Sequence, residues 1–428
     1  MLNLEKHIEP VKAASLNAQT IIDDESEKIG QSEGSTLLCK SRQRMQPWPA
    51  VSQIHLDISG RCNLTCPLCY NPDESSTNEL SIAEIENIAR DYRGYAFILG
   101  GREPTMRPDL VQIILTIRQY GSVMLLTNGL ALTERRYVDS LMKAGLDGVI
   151  LSFNGLKQRP YLELNGCECL DEKLNILQIL KSAAVPTVIS MTVMDGVNTD
   201  EIGAVVRLCC ENTEFIKELR IRAARPFGRH LVNNGRILDM SDLRQLIIDQ
   251  AQLDPVKLNN GFDFWHSIGR NFAVDAYRKR ACSLHFMLLK RKGIWRVEGE
   301  QISASALRAV ADWRTHRCLR PLYTLVLLYQ MVRIFGLRLV IRRIHDLGKN
   351  LLRFKPVSHH SQLADMQGER NMLSVTLKAW PTDALTTEES QLCQTLFISR
   401  KECRPFCSFV GRPAEFAHHV TNGKTRSD

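Results

Sequence analysis

At 428 residues the chain can carry one large domain and one or two smaller units. It is 44% hydrophobic and 24% charged, the balance of an ordinary soluble protein, and a formal charge of +8 is too modest at this length to indicate nucleic-acid binding. Thirteen cysteines cannot all pair, and the first residues (MLNLEKHIEP) carry no apolar signal segment. The expectation is therefore a cytoplasmic protein with reduced thiols, where metal binding is the usual reason to keep so many. No uncharged apolar run reaches the ~18–20 residues of a membrane span, so an integral protein is not expected.

Residues 1–50 mix polar residues, an acidic stretch (Asp23, Asp24, Glu25, Glu27) and a Gly/Ser-containing tract, and read as a poorly ordered extension. From Ser52 the pattern becomes α/β. Ser52–Ile58 alternates like a strand, Ile82–Tyr92 has helical spacing, Tyr95–Leu99 is a strand, and Leu110–Tyr120 is a helix entered through Pro108. Strand Val123–Leu126, helix Thr133–Ala144, strand Gly148–Phe153 and helix Asp171–Ala183 follow, then strand Thr187–Val193, helix Thr199–Cys210 and strand Glu218–Ile221. Six short apolar strands alternating with helices argue for a parallel α/β barrel or open sheet over residues 51–230. After that the rhythm stops. Residues 231–380 read as a mixed, largely helical basic region, with 19 Lys or Arg against 5 Asp or Glu between Arg270 and Lys355. Residues 381–428 form a C-terminal cysteine-containing segment.

The first strand runs into SGRCNLTCPLC, which spaces Cys62, Cys66 and Cys69 as Cys-x3-Cys-x2-Cys. Thiolates are soft ligands for zinc or iron–sulfur clusters. Structural zinc wants four protein ligands, and the next His or Cys downstream is Cys167. A four-iron cluster held by three thiolates instead keeps one iron open for a small molecule. The loop also leaves the C-terminal end of a strand, where α/β folds place their active sites.

LDISGRCNLTCPLCY resembles the signature of the radical S-adenosylmethionine (SAM) superfamily, whose core is a partial (β/α)6 barrel. LGGREPTMRPDL after the second strand, LLTNGL after the third and ILSFNG in the fourth are similar to that family's landmarks in order, over about residues 50–230. The resemblance implies that Cys62, Cys66 and Cys69 hold a [4Fe-4S] cluster. It also implies that SAM chelates the open iron and is cleaved to a 5′-deoxyadenosyl radical, with electrons from a reducing partner such as flavodoxin or ferredoxin. Gly101 and Glu103 would help hold the methionine amino group, and Ser152 and Asn154 would lie near the SAM ribose. The family commonly reads Gly-Gly-Glu-Pro, whereas this chain reads Gly100, Gly101, Arg102, Glu103, Pro104, so Arg102 takes the place of the second glycine. Arg222 and Arg225, after the sixth strand, are candidates to face the SAM carboxylate or a substrate anion.

Of the other cysteines, Cys167 and Cys169 read as loop thiols or a substrate-proximal pair, Cys209 and Cys210 as small buried residues, and Cys39 lies in the extension. Cys393, Cys403 and Cys407 fall within fifteen residues, with Cys282 a candidate fourth. Cys393 with Pro405-Phe406-Cys407 resembles the C-terminal part of the radical SAM subgroup of tetraether-lipid-synthase-like and pterin-methyltransferase-like proteins, which implies an auxiliary [4Fe-4S] cluster. The subgroup resemblance and the basic, apolar stretch from Leu319 to Lys355 suggest a lipid or isoprenoid substrate and peripheral membrane contact. A peptide-modifying maturase and a small-molecule methylating enzyme are the alternatives, and a zinc or iron–sulfur binding scaffold is the non-enzymatic one.

Overall fold

The computed structural model of the chain describes residues 51–71, 79–226, 228–230, 236–272, 282–337, 340–341, 371–379, 393–400 and 403–406. The extension 1–50 with Cys39 and the candidate ligand Cys407 lie outside these residues.

The first half is built as β1 (Gln53–Ser59), a short β2 (Leu68–Cys69), α1 (Ile82–Asp91), β3 (Ala96–Gly101), α2 (Leu110–Arg118), β4 (Ser122–Thr127) and α3 (Arg135–Lys143). Then come β5 (Gly148–Ser152), α4 (Gln158–Asn165), α5 (Leu170–Ser182), β6 (Thr187–Val193), α6 (Ile202–Glu211) and β7 (Ile216–Ala223). The boundaries follow local chemistry. Ser81 starts α1 with a capping box, its side chain accepting from the Glu84 N–H while the Glu84 carboxylate accepts from the Ser81 N–H. Strands β1, β3, β4, β5, β6 and β7 pair in parallel in that order. They are apolar on both faces because both faces are covered.

The second half adds β8 (Arg229–His230), α7 (Met240–Ala251), α8 (Pro255–Phe272), β9 (Ser283–Arg291), β10 (Ile294–Val297), α9 (Ala304–Asp312) and α10 (Arg320–Phe335). It ends with β11 (Met372–Lys378), β12 (Thr395–Ile398) and β13 (Cys403–Pro405). These strands do not form a sheet of their own. They lengthen the parallel sheet at both edges, giving the order β10-β9-β11-β7-β6-β5-β4-β3-β1-β12-β13. β11 runs parallel to β7 and β12 parallel to β1, while β9 and β13 are antiparallel to their neighbours. The stretch expected to be largely helical thus contributes sheet strands as well. β9 reads SLHFMLLKR, rich in helix formers, and becomes a strand only by pairing with β11 some ninety residues later.

Alternation along the strands feeds two separate cores. Ile54, Leu56, Ile58, Phe97, Leu99, Leu125 and Leu151 join the larger core with α1 to α3 and α5 to α7. Their sheet neighbours Ile98, Met124, Ile150, Val188, Leu289 and Met372 face the other way and pack with Phe264, Trp265 and Ile268 of α8, Ala306 and Val310 of α9, and Leu327 and Ile334 of α10. Helices α8 to α10 therefore fill the second face of the sheet at the N-terminal half of its strands. Further along, that same face becomes polar, with His55 and Asp57 on β1, Ser190 on β6, Glu218, Arg220 and Arg222 on β7, and Thr376 and Lys378 on β11. Flat strands would hold β1 and β7 about 24 Å apart. Arg222 and Lys378 nonetheless act electrostatically on His55 across this face.

Candidate metal and cofactor site

The cysteine loop leaves the C-terminal end of β1 and is held there by backbone. Past a register irregularity between Asp57 and Ser59, Arg102 N–H donates to the Ser59 carbonyl (2.9 Å) and Glu103 N–H to the Arg61 carbonyl (2.9 Å). The glycine-containing motif and the start of the cysteine loop are thus zipped together. Arg107, buried and paired with Asp109, donates to the carbonyls of Ile58 (2.9 Å) and Leu80 (2.7 Å), closing the base of the loop. Its far end is fixed where β2 pairs with β8, Cys69 opposite Arg229, and the Arg229 guanidinium donates to the Cys66 carbonyl (3.3 Å).

Cys62, Cys66 and Cys69 are each partly exposed along this loop. Burial pushes the Cys62 thiol up to about 11, opposed by the Leu64 N–H that donates to its sulfur (3.4 Å). Burial also raises Cys66, opposed by the Asn165 amide (3.7 Å). Cys62 and Cys66 also feel the potential charge of neighbouring thiols, so without a cation these two resist ionisation. A bound metal reverses that balance, because a coordinating thiol is deprotonated by the ion's charge. The donor set, three soft sulfurs on one tethered loop with some access to solvent, fits an iron–sulfur cluster.

Gly101 sits at φ +117°, and a Cβ there would lie 2.4 Å from Asp57 Oδ1 and 2.7 Å from the Ser59 carbonyl. Its own carbonyl accepts from Asn71 Nδ2 (2.7 Å) and the Tyr70 hydroxyl (3.4 Å), two residues just beyond Cys69. The position that demands glycine is therefore Gly101, and Arg102 beside it is accommodated by its backbone bond to Ser59. Gly100 is also tightly fitted, since a Cβ would meet the His55 ring at 2.3 Å.

Glu103 is fully buried. Its Oε1 accepts from Thr105 N–H (3.1 Å), the Thr105 hydroxyl (2.6 Å) and the Thr127 hydroxyl (2.6 Å), and its Oε2 accepts from Asn128 N–H (2.8 Å). The carboxylate ties the loop after β3 to the loop after β4, and only part of the acceptor capacity of Oε2 is left for a ligand.

Ser152 ends β5, and its carbonyl accepts from Lys173 Nζ (2.9 Å), which also donates to the Asn128 carbonyl. Lys173 is wholly buried, and burial lowers its pKa while Cys169, Cys167, Glu103 and Cys66 raise it. Asn154 is a cross-brace. Its Oδ1 accepts from Thr192 N–H (3.0 Å), its Nδ2 donates to Asn165 Oδ1 (2.9 Å), and Asn165 Nδ2 points its bond at the Cys66 sulfur. Asn165 and Lys173 escape a reading of the sequence. Asn165 ends a helix with weak periodicity, and Lys173 sits at an amphipathic helix position where a solvated lysine is the ordinary reading. Cys167 and Cys169 meet sulfur to sulfur at 2.7 Å beside the cluster loop, where the Gly166 position abuts Pro67. Cys209 and Cys210 are buried in α6.

The C-terminal cysteines are not drawn together to the same degree. Cys282 lies beside the Ser283–Lys378 pair, at the C-terminal ends of β7 and β11, and Cys403 pairs opposite Ile398 at the C-terminal end of β12. Cys393 precedes β12 at the opposite end, buried, with its thiol donating to the Thr395 carbonyl (3.3 Å). Five extended residues separate it from the level of Cys403, about 16 Å. Among the described residues no three His, Cys, Asp or Glu side chains are grouped closely enough to hold a metal ion as they stand, and the tethered Cys62, Cys66 and Cys69 loop is included in that statement.

Arg222 lies within β7 and Arg225 just beyond it. Burial lowers Arg222 to about 10 and also lowers Arg225, and Nε of each lacks a hydrogen-bond partner among the described residues. Burial and the charges of Arg222 and Lys378 hold His55 down at about 3.

Residues 56–209 match the family model of the Radical SAM superfamily. The chain is similar to the 7,8-dihydro-6-hydroxymethylpterin dimethyltransferase of Methanocaldococcus jannaschii, 31% identical over 210 residues that cover 46% of this chain and 41% of the relative. It is also similar to a probable GTP 3',8-cyclase of Methanothermobacter thermautotrophicus, 33% identical over 178 residues that cover 40% of this chain and 58% of that protein. The chain thus spans about half the length of these curated relatives. A crystal structure of Streptococcus suis SuiB bound to S-adenosylmethionine superposes with a TM-score of 0.41 at 20% identity, over 47% of this chain and 48% of that one.

Proposed function

We propose that the chain is a radical SAM enzyme in which Cys62, Cys66 and Cys69 hold a [4Fe-4S] cluster and Gly101, Glu103, Ser152 and Asn154 shape the SAM site. The observation that supports this reading is the backbone zipper between the start of the cysteine loop and the Gly100–Glu103 motif, which holds the loop at the C-terminal end of β1 in a parallel sheet. When bound, the cluster supplies the electron that cleaves SAM to methionine and a 5′-deoxyadenosyl radical, which takes hydrogen from a substrate C–H bond. The protein's own residues do the positioning. Gly101 lets the chain pass close to Asp57, Glu103 aligns the loops after β3 and β4, and the Asn154–Asn165 pair orients a donor toward Cys66. A reducing partner such as flavodoxin or ferredoxin delivers the electron.

For the substrate, the subgroup resemblance puts a lipid or isoprenoid first. The buried guanidinium groups of Arg222 and Arg225 support a substrate with a phosphate or carboxylate end. Methylation or ring formation on a small heterocycle is the second reading, favoured by what the two curated relatives are named for. Incubating reduced enzyme and SAM with deuterated candidates tests the choice. Deuterium carried into 5′-deoxyadenosine from an isoprenoid phosphate supports the first reading, and transfer only from a pterin or nucleotide replaces it.

A further inference from the structure

We infer that α10 is a membrane-docking element that lies flat on an anionic lipid surface. The segment Arg317–Phe335 has the length and hydropathy of a bilayer-crossing helix, yet only 17% of it is buried. Its buried side is narrow. Leu327, Gln330 and Ile334 face the body, and the Gln330 side chain accepts from Ser303 N–H (3.0 Å) and donates to the Gln301 carbonyl (2.8 Å). That bonded, buried glutamine anchors the helix along the protein and argues against its crossing a bilayer.

The outward side is apolar where a surface helix is normally charged. Leu322, Leu325 and Tyr329 are 56%, 65% and 64% exposed and follow one another at three- and four-residue spacing, with Leu319 and Leu328 flanking them. Contiguous exposed apolar surface of this kind marks an interaction site. Charge says what covers it. From Trp313 to His345 the chain carries no Asp or Glu but seven arginines: Arg314, Arg317, Arg320, Arg333, Arg338, Arg342 and Arg343. Arg314, Arg317 and Arg333 are exposed at the two ends of the apolar face. Arg320 is held over the Trp313 ring and donates to its carbonyl. Leucines and a tyrosine in the middle with arginines at the ends suit the acyl–headgroup boundary of an anionic bilayer, where apolar burial and attraction to the headgroups add. A protein partner would need an acidic rim, and a second copy of this chain would bring arginine against arginine.

The test uses the full chain and vesicles of phosphatidylcholine alone or with phosphatidylglycerol. The chain should co-float with the anionic vesicles at least about ten-fold better than with the neutral ones, and added salt should release it. Leu325→Glu combined with Leu322→Glu should reduce binding about ten-fold or more. Arg317→Gln and Arg333→Gln should each cost about five-fold. These side chains are exposed, so the variants should keep the parent's thermal transition and its yield of 5′-deoxyadenosine, readouts independent of docking. Equal binding to both vesicle types, or an unchanged Leu322/Leu325 variant, would overturn the proposal. So would a parent dimer in sedimentation velocity that the double variant dissociates, which would assign the face to a second copy.

Discussion

The two halves of the described structure use the same sheet in opposite ways. Within the main sheet, the strands from β1 to β7 pair in chain order and each crossing is covered by the helix that makes it, while the short β2 pairs with the distant β8. Beyond β7, the strands arrive from far away: β11 reaches β7 after some 150 residues, and β12 closes on β1 from the other end of the chain. The first half builds the cysteine loop and most of its clamps, and β8 of the second half fixes the loop's far end. The second half supplies the outer edges of the sheet, the helices that cover part of its second face, and an exposed apolar helix.

Glycine substitutions should separate the halves most sharply. Gly101→Ala puts a methyl group at a positive φ with a backbone carbonyl and a carboxylate in the way, so the loop carrying Cys62 must move. Iron loading and SAM cleavage should fall by about a hundred-fold or more, as for misplacement of a reacting group by an ångström. Gly293, also at positive φ (+82°) but in the β9–β10 turn with nothing within 4 Å, should cost only about 1 kcal/mol as Ala and leave cleavage intact. Equal effects of the two on iron content would erase the distinction.

Buried carboxylates give the next contrast. Glu103→Ala strands the buried Thr127 hydroxyl and the Asn128 N–H together with both Thr105 donors, at a cost on the order of 3–5 kcal/mol. Chemical denaturation reads that loss. Glu298, in the second half, is raised to about 8 by burial, and its Oε1 lacks a partner among the described residues. Its folded pKa lies above its unfolded value, so the folded state holds the extra proton and stability falls as pH rises from about 4.5 to about 8. Glu298→Gln should flatten that limb. His55, held down at about 3, behaves oppositely: the unfolded state takes the extra proton, and stability is lost as pH falls from about 6.5 toward 3. His55→Asn should flatten the acid limb only. Thermal melts across pH would refute the assignment if either variant kept the parent's curve.

The smallest effect is expected at Cys393. It lies at the end of β12 away from Cys403, so Cys393→Ala should leave the iron content per chain unchanged and cost only about 1–2 kcal/mol. A loss of ~4 Fe per chain would instead place it on an auxiliary cluster.

Much of the first half was legible because its signals are local. The strand runs, the Pro108-led helix, the cysteine spacing and Gly101 each carry their reason within a few residues. The edges of the sheet were not, because β9 and β11 are strands by partnership rather than by propensity. Within the site, Glu103 stood out in the sequence, but its engagement by four donors from two loops is a tertiary fact. Asn165 and Lys173 have ordinary helical surroundings in sequence and acquire their roles only where α4 and α5 fold against the cysteine loop. The α10 arginines were visible, but they do not gather on one face by spacing alone. The apolar stripe between them shows only once Leu327, Gln330 and Ile334 mark which side is buried.

The central claim rests on three sulfurs, and reductive cleavage of SAM tests it most directly. Anaerobically reconstituted parent protein, given dithionite and SAM, should yield 5′-deoxyadenosine and methionine and contain iron and sulfide in equal amounts. The variant with Cys62, Cys66 and Cys69 all changed to Ala should fold, as these partly exposed side chains hold no core, and should yield none. 5′-Deoxyadenosine from the triple variant at the parent's rate, or a parent that retains zinc and no iron, would contradict the account.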